Sequence, residues 1–198
     1  MANRRNVKSE TVDVLDPERP KDFLTEPEFA RLLKGAGGNR HNLRDVALFR
    51  MIFDHGLRVS EATGLRRSSA DLDAHRLHFK RLKNGFSVPH PMQGETVRAV
   101  KRYLASREDA APWLFVSERG TKMTRQAVNY LIATAGTRAK LGHVHPHMLR
   151  HACGYALEDR GTDFRVMQDF LGHKDPRHTA HYTRTSPRRF DRVWERKN

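Results

Sequence analysis

The sequence predicts a mainly α-helical domain carrying one small antiparallel β-sheet, and three observations predict it. Apolar residues recur at spacings of three and four along most of the chain, with capping residues ahead of the runs and glycines behind them. One stretch alone, between His75 and His90, alternates polar and apolar residues around an Asn-Gly pair. The chain has 198 residues, 37% hydrophobic and 30% charged, with a mean hydropathy of −0.76. No stretch in it approaches the roughly 18 apolar residues of a membrane span.

Residues 1–22 are polar, contain Pro17 and Pro20, and show no sustained hydrophobic period. They read as a flexible basic arm ahead of a folded region that spans 23–198. Thr25, with Glu28 three residues on, makes a capping-box pattern ahead of Phe29, Leu32 and Leu33, and Gly35 reads as the stop of that helix. A second helix covers 42–55, with Val46, Phe49, Ile52 and Phe53 inward and Gly56 ending it. A short helix follows Ser60. Arg76 to Leu82 alternates as a strand, and Asn84-Gly85 then turns the chain into Phe86-Ser87-Val88, because both positions of such a turn take positive φ.

Helical spacing resumes at Val97, Val100, Lys101 and Leu104, and again from Thr124 through Val128, Leu131 and Ile132 to Ala135. Pro146 opens a helix carried by Leu149, Cys153, Ala156 and Leu157 to Gly161. Further helices fit 163–171, closed by Gly172, then 175–182, and lastly 186–196 with Phe190, Val193 and Trp194 on one face. There is no internal repeat.

Composition narrows the function. The chain has 37 Lys and Arg against 23 Asp and Glu, a formal charge of +14 that makes a large polyanion the first partner to consider. The N-terminus lacks the apolar core of a secretory signal, and the single Cys153 excludes an internal disulfide. These features predict a cytoplasmic protein with no membrane partner.

Several polar residues stand at helix boundaries, where they can converge on a ligand. Arg58 and Glu61 occur in Gly56-Leu57-Arg58-Val59-Ser60-Glu61, and alone they read equally as a solvated Arg and a capping acid. Lys83 precedes the Asn84-Gly85 turn; alone it is a surface lysine. His147 and Arg150 lie three apart in the first turns of a helix, where backbone N–H groups and the helix dipole favour an anion such as phosphate. His173 follows Leu171-Gly172, and Tyr182 comes nine residues later. His147 and His151 have i, i+4 zinc spacing, but Met-Leu-Arg lies between them, with no Glu to act as base and an Arg that repels a dication. The expectation is that no metal is bound.

The order Arg58, Lys83, His147, Arg150, His173, Tyr182, in the contexts G-L-R-V-S-E, L-K-N-G, H-M-L-R-H, L-G-H and Y, resembles the catalytic domain of the tyrosine recombinase (phage-integrase) family. The strings R-L-K-N-G-F-S and H-P-H-M-L-R-H-A-C-G-Y are most similar to the short recombinases that invert fimbrial promoter elements. The resemblance implies the tyrosine recombinase catalytic-domain fold and a nucleophilic Tyr182 that forms a 3′-phosphotyrosyl link to DNA. It implies that Arg58 and Arg150 hold the non-bridging oxygens, that Lys83 is the acid for the departing 5′-oxygen, and that Glu61 supports His147 or Arg58. His147 and His173 donate to the same oxygens or shuttle the tyrosine proton, and the choice of base stays open. It further implies no metal, ATP or other cofactor.

The implied partner is double-stranded DNA with inverted-repeat sites, gripped by four protomers in a nucleoid-associated synaptic complex, with DNA-bending accessory proteins as further partners. Relatives usually carry a separate core-binding domain, and the reading here has none; the basic arm with Arg4, Arg5 and Lys8 is expected to supply part of the missing grip. The segment with Phe190, Val193 and Trp194 resembles the tail helix that relatives dock on an adjacent subunit, or it packs on its own domain. Readings kept beside this one are a DNA-binding transcriptional regulator with a degenerate site, a type IB topoisomerase, and a zinc-dependent nuclease.

Overall fold

A computed structural model of the chain describes residues 21–81 and 89–185. Residues 1–20 of the arm expected over 1–22, the Asn84-Gly85 turn with Lys83, and the expected helix over 186–196 lie outside the described residues. Eight α-helices and three short strands are described: α1 Glu26–Ala36, α2 Asn42–His55, α3 Val59–Gly64, β1 Ala70–Asp71, β2 Arg76–Leu77, β3 His90–Pro91, α4 Gly94–Ala105, α5 Arg125–Arg138, α6 Pro146–Asp159, α7 Phe164–Leu171 and α8 Arg177–Thr185.

Helix α2 is central, packing against α1, α3, α4 and α6. Its Leu48, Phe49 and Ile52 are fully buried, together with Leu32 of α1, Val100 of α4, Ile132 of α5 and Leu149 of α6. Thr25 caps α1 by accepting from the Glu28 amide, and Glu28 returns a carboxylate oxygen to the Thr25 amide at 2.8 Å, which satisfies two donors the helix itself leaves open. The expected stop at Gly35 is wrong. The helix runs on to Ala36 with Gly37 as cap, and Gly35 lies within it because a methyl group there would overlap the Ala135 carbonyl of α5. The third helix starts at Val59 and so includes Ser60, which it was expected to follow, with Arg58 as its N-cap.

The sheet also differs from expectation. Its order is β1-β2-β3, antiparallel throughout, with Ala70 opposite Leu77 and Leu77 opposite His90. The expected strand from Arg76 to Leu82 is confined, among the described residues, to Arg76–Leu77. Beyond it the side chains answer to burial and not to a ladder: Phe79 meets the His90 ring edge-on at 4.9 Å, and Arg81 turns inward to 2% exposure. The hairpin from β1 to β2 escaped prediction because its turn, Leu72-Asp73-Ala74-His75, has neither Gly nor Asn. Asp71 Oδ1 instead accepts from the Asp73 and Ala74 amides, and His75 takes φ 53°.

A second, smaller cluster of Cys153, Met167, Leu171 and Tyr182 joins α6, α7 and α8. Among the described residues no helix is long and apolar enough to cross a membrane.

Candidate active site

Two helix ends build the site. Helix α2 closes on Gly56 in the left-handed conformation (φ 54°), with Gly56 N–H donating to Phe53 O and Leu57 N–H to Ile52 O at 3.1 Å. Helix α7 closes in the same way on Gly172 (φ 65°), with His173 N–H donating to Gln168 O at 3.0 Å. Both are Schellman closures, which reverse the chain tightly and leave the last carbonyls pointing outward. Arg58 follows the first closure by two residues and His173 follows the second by one.

Three guanidinium groups answer those carbonyls. Arg150, from the second turn of α6, donates to Gly56 O and to Leu171 O, the latter at 2.7 Å. Arg58 donates to Gly172 O at 3.5 Å. Arg81 donates to His55 O at 2.9 Å, to Gly56 O at 3.3 Å and to Phe170 O. The partial negative charge at the ends of α2 and α7 thus lies against fixed cations. Glu61, 4% exposed, accepts from Arg58 Nη1 at 3.1 Å, from the Arg58 amide at 2.8 Å and from Arg81 Nη1 at 3.0 Å. One carboxylate against three guanidinium groups leaves the cluster positive. Burial, then the neighbouring Arg58 and Arg81, bring Arg150 down to about 10, so it stays protonated at neutral pH.

His173 Nδ1 is hydrogen-bonded to the hydroxyl of the fully buried Thr179 at 2.9 Å. Burial, helped by Arg150, depresses its pKa to about 3, so the ring is neutral. Where Nδ1 accepts from Thr179, Nε2 carries the proton and is a donor for an anion. His147 sits exposed in the first turn of α6, and desolvation, with His145 and Arg150 nearby, lowers its pKa as well. Arg150 of the same helix face is buried, so the pair shares an edge but not an environment.

Tyr182 of α8 is 1% exposed. Its hydroxyl is hydrogen-bonded to His151 Nδ1 at 2.9 Å, its ring lies near-parallel to that of His173 with centroids 6.3 Å apart, and Tyr155 meets it edge-on at 5.1 Å. Burial pushes the phenol above its ordinary range, against a smaller opposing pull from Arg150. The structure therefore brings Arg58, Glu61, Arg150, His173 and Tyr182 together, with His147 at the rim. Lys83 lies outside the described residues; Arg81, two positions before it, is inside the cluster.

The sequence reading missed Arg81, Thr179 and His151. Arg81 was hidden as one polar residue of an alternating strand. His151 was visible one turn beyond His147 but was weighed only as a zinc ligand, whereas its Nδ1 faces Tyr182. Among the described residues no three His, Cys, Asp or Glu side chains are arranged to hold a metal ion.

Comparison with known proteins agrees with this fold. The phage integrase family matches residues 22–189. The chain is 41% identical over 183 residues to the type 1 fimbriae regulatory protein FimB of Escherichia coli K12, covering 90% of this chain and 92% of that protein. To FimE of the same strain it is 39% identical over 182 residues, with 89% and 92% covered. A crystal structure of XerA recombinase superposes with a TM-score of 0.76 at 27% identity, covering 89% of this chain and 65% of that one. The catalytic domain of bacteriophage HP1 integrase shares the fold, with a TM-score of 0.61 at 20% identity over 89% of this chain and 98% of that one.

Proposed function

The chain belongs to the phage integrase family, and on that premise we propose that it is a tyrosine-type site-specific DNA recombinase that inverts a short promoter-bearing element of the fimbrial phase-variation kind. The near full-length similarity to FimB and FimE supports the narrower reading. The observation that carries the chemistry is the positive cluster of Arg58, Arg81 and Arg150 at two helix ends beside His173 and Tyr182.

In this reading Tyr182 Oη attacks a DNA phosphorus, the bond to the 5′-oxygen breaks, and Lys83 supplies the proton that oxygen takes. The product is a 3′-phosphotyrosyl enzyme and a free 5′-hydroxyl, and attack by a hydroxyl from another strand reverses the step. A phenol of pKa about 10 is on the order of a thousandth ionised at pH 7, and fixed guanidinium charge offsets part of that deficit. Arg58 and Arg150 stabilise the charge that builds on the non-bridging oxygens, and His147 and His173 donate to the same oxygens or shuttle the tyrosine proton. Glu61 holds Arg58. The bond energy is kept in the phosphotyrosine, so neither ATP nor a metal ion is required.

Residues 23–198 form the catalytic domain and the basic arm over 1–22 adds grip on the duplex. The assembly is four protomers on two inverted-repeat DNA sites in the cytoplasm, on the nucleoid, with DNA-bending proteins assisting. A nicked duplex bearing the repeat tests the core of this: cleavage releases a short fragment and traps the adduct. Wild type forms a covalent complex and Tyr182→Phe forms none; an adduct with Tyr182→Phe overturns the assignment.

A further inference from the structure

We propose that Tyr182 is held in a resting seat, latched by His151 and floored by Gly154, and that these two residues restrain the nucleophile until DNA draws it out. The proposal rests on the recombinase reading for the meaning of Tyr182, but its geometry stands by itself. A nucleophile that is 1% exposed cannot meet a phosphate of a DNA duplex without moving. Its seat is closed on every side described: His151 at the hydroxyl, Tyr155 edge-on, His173 parallel, and Cys153 and Leu171 in the same buried cluster.

Gly154 is the floor. A methyl group on its α-carbon would stand 2.5 Å from Tyr182 Cζ and 2.6 Å from both Cε atoms, so the ring lies flat on the backbone of α6 and only glycine permits it. His151 occupies the same helix one turn earlier and reaches the hydroxyl. The two residues therefore grip the ring at its face and at its oxygen from one rigid element.

The seat also keeps the phenol unreactive. Desolvation favours the neutral hydroxyl, and His151, itself desolvated and faced by Asp22, His181, His147 and Arg150, is a weak proton acceptor there. The bond between Tyr182 and His151 stores the hydroxyl and does not ionise it. Ionisation awaits release from the seat, where desolvation no longer outweighs the pull of Arg150.

The test uses the other tyrosines as internal standards: Tyr130 is 70% exposed and Tyr103 is 5% exposed. DNA-free protein is nitrated with tetranitromethane and each tyrosine is followed by peptide mass spectrometry. In wild type, Tyr182 reacts at least about tenfold more slowly than Tyr130. In His151→Phe and Gly154→Ala its reaction rises about fivefold while Tyr103 stays protected, as expected when one buried hydrogen bond or one close contact no longer holds the closed population. On the nicked duplex, His151→Phe forms the adduct faster than wild type by a similar factor. Equal reactivity of Tyr182 and Tyr130 in wild type overturns the seat, and that comparison needs no variant. Unchanged protection in both variants, or slower adduct formation by His151→Phe, also overturns it. Failure of wild type to form any adduct strikes the recombinase reading alone and leaves the nitration result standing.

Discussion

Arg58 and Arg150 donate to consecutive carbonyl oxygens, those of Gly172 and Leu171, at the end of α7. Two side chains 92 positions apart in sequence are thereby set side by side by two successive peptide units. The planar fork of Arg150 spans from Leu171 O to Gly56 O, a reach that a lysine ammonium, as a point charge, does not reproduce.

Arg150→Lys is therefore expected to keep the charge and lose the geometry. Cleavage of the nicked substrate should fall by about 10²–10³, while DNA affinity measured by gel shift changes only a few-fold. Equal losses in both would assign Arg150 to binding and not to the transition state.

Lys83→Ala should bind DNA and cleave slowly. A substrate with sulfur in place of the bridging 5′-oxygen needs no acid, because a thiolate leaves readily, and should restore the rate. Absence of that rescue removes Lys83 from the acid role.

Glu61 is the carboxylate between Arg58 and Arg81, and it is 4% exposed. Glu61→Ala leaves the arginines facing one another without it and should cost about 3–5 kcal/mol in urea unfolding. Glu61→Gln keeps one acceptor oxygen and turns the other position into an NH2 donor, and should cost less than Glu61→Ala.

Acid should destabilise the fold through histidine. Burial depresses His55 to about 3 and His90 to about 4, with Arg81 adding to both, and His55 has neither ring nitrogen hydrogen-bonded. The ordinary histidine value is near 6.5, so the unfolded chain binds these protons first as pH falls. Stability is then full above about pH 6.5 and declines from there toward pH 4, by up to about 1.4 kcal/mol per pH unit for each group. Thermal melts at pH 7.5 and 5 measure it. His55→Leu should flatten the slope, and an unchanged slope would exclude His55 as its source.

Much of the fold was legible because helix ends announce themselves locally. Gly56 and Gly172 stop α2 and α7 where the sequence places them, and Thr25 with Glu28 starts α1. What stayed hidden depends on distant partners. Gly35 looked like a stop because glycine is a poor helix former, yet it answers to the Ala135 carbonyl 100 positions away. Arg81 fits the polar side of an alternating strand, and only the ends of α2 and α7 explain its inward turn. At the site, Arg58, Glu61, Arg150, His173 and Tyr182 were visible in order through the resemblance. His151 was not linked to Tyr182, because the contact joins α6 to α8 across 31 positions.

The paired left-handed closures carry a consequence for engineering. Arg58 and His173 are aimed by where a helix stops and not by which helix face is packed, so the exposed face of α7, with Arg165, Val166 and Asp169, is open to redesign for solubility or new partners. The count of residues from Gly56 to Arg58 and from Gly172 to His173 is not: a single insertion after either glycine would rotate the following side chain away from the arginine cluster while leaving the helices intact. Such insertions are expected to give well-folded proteins that bind DNA without cutting it.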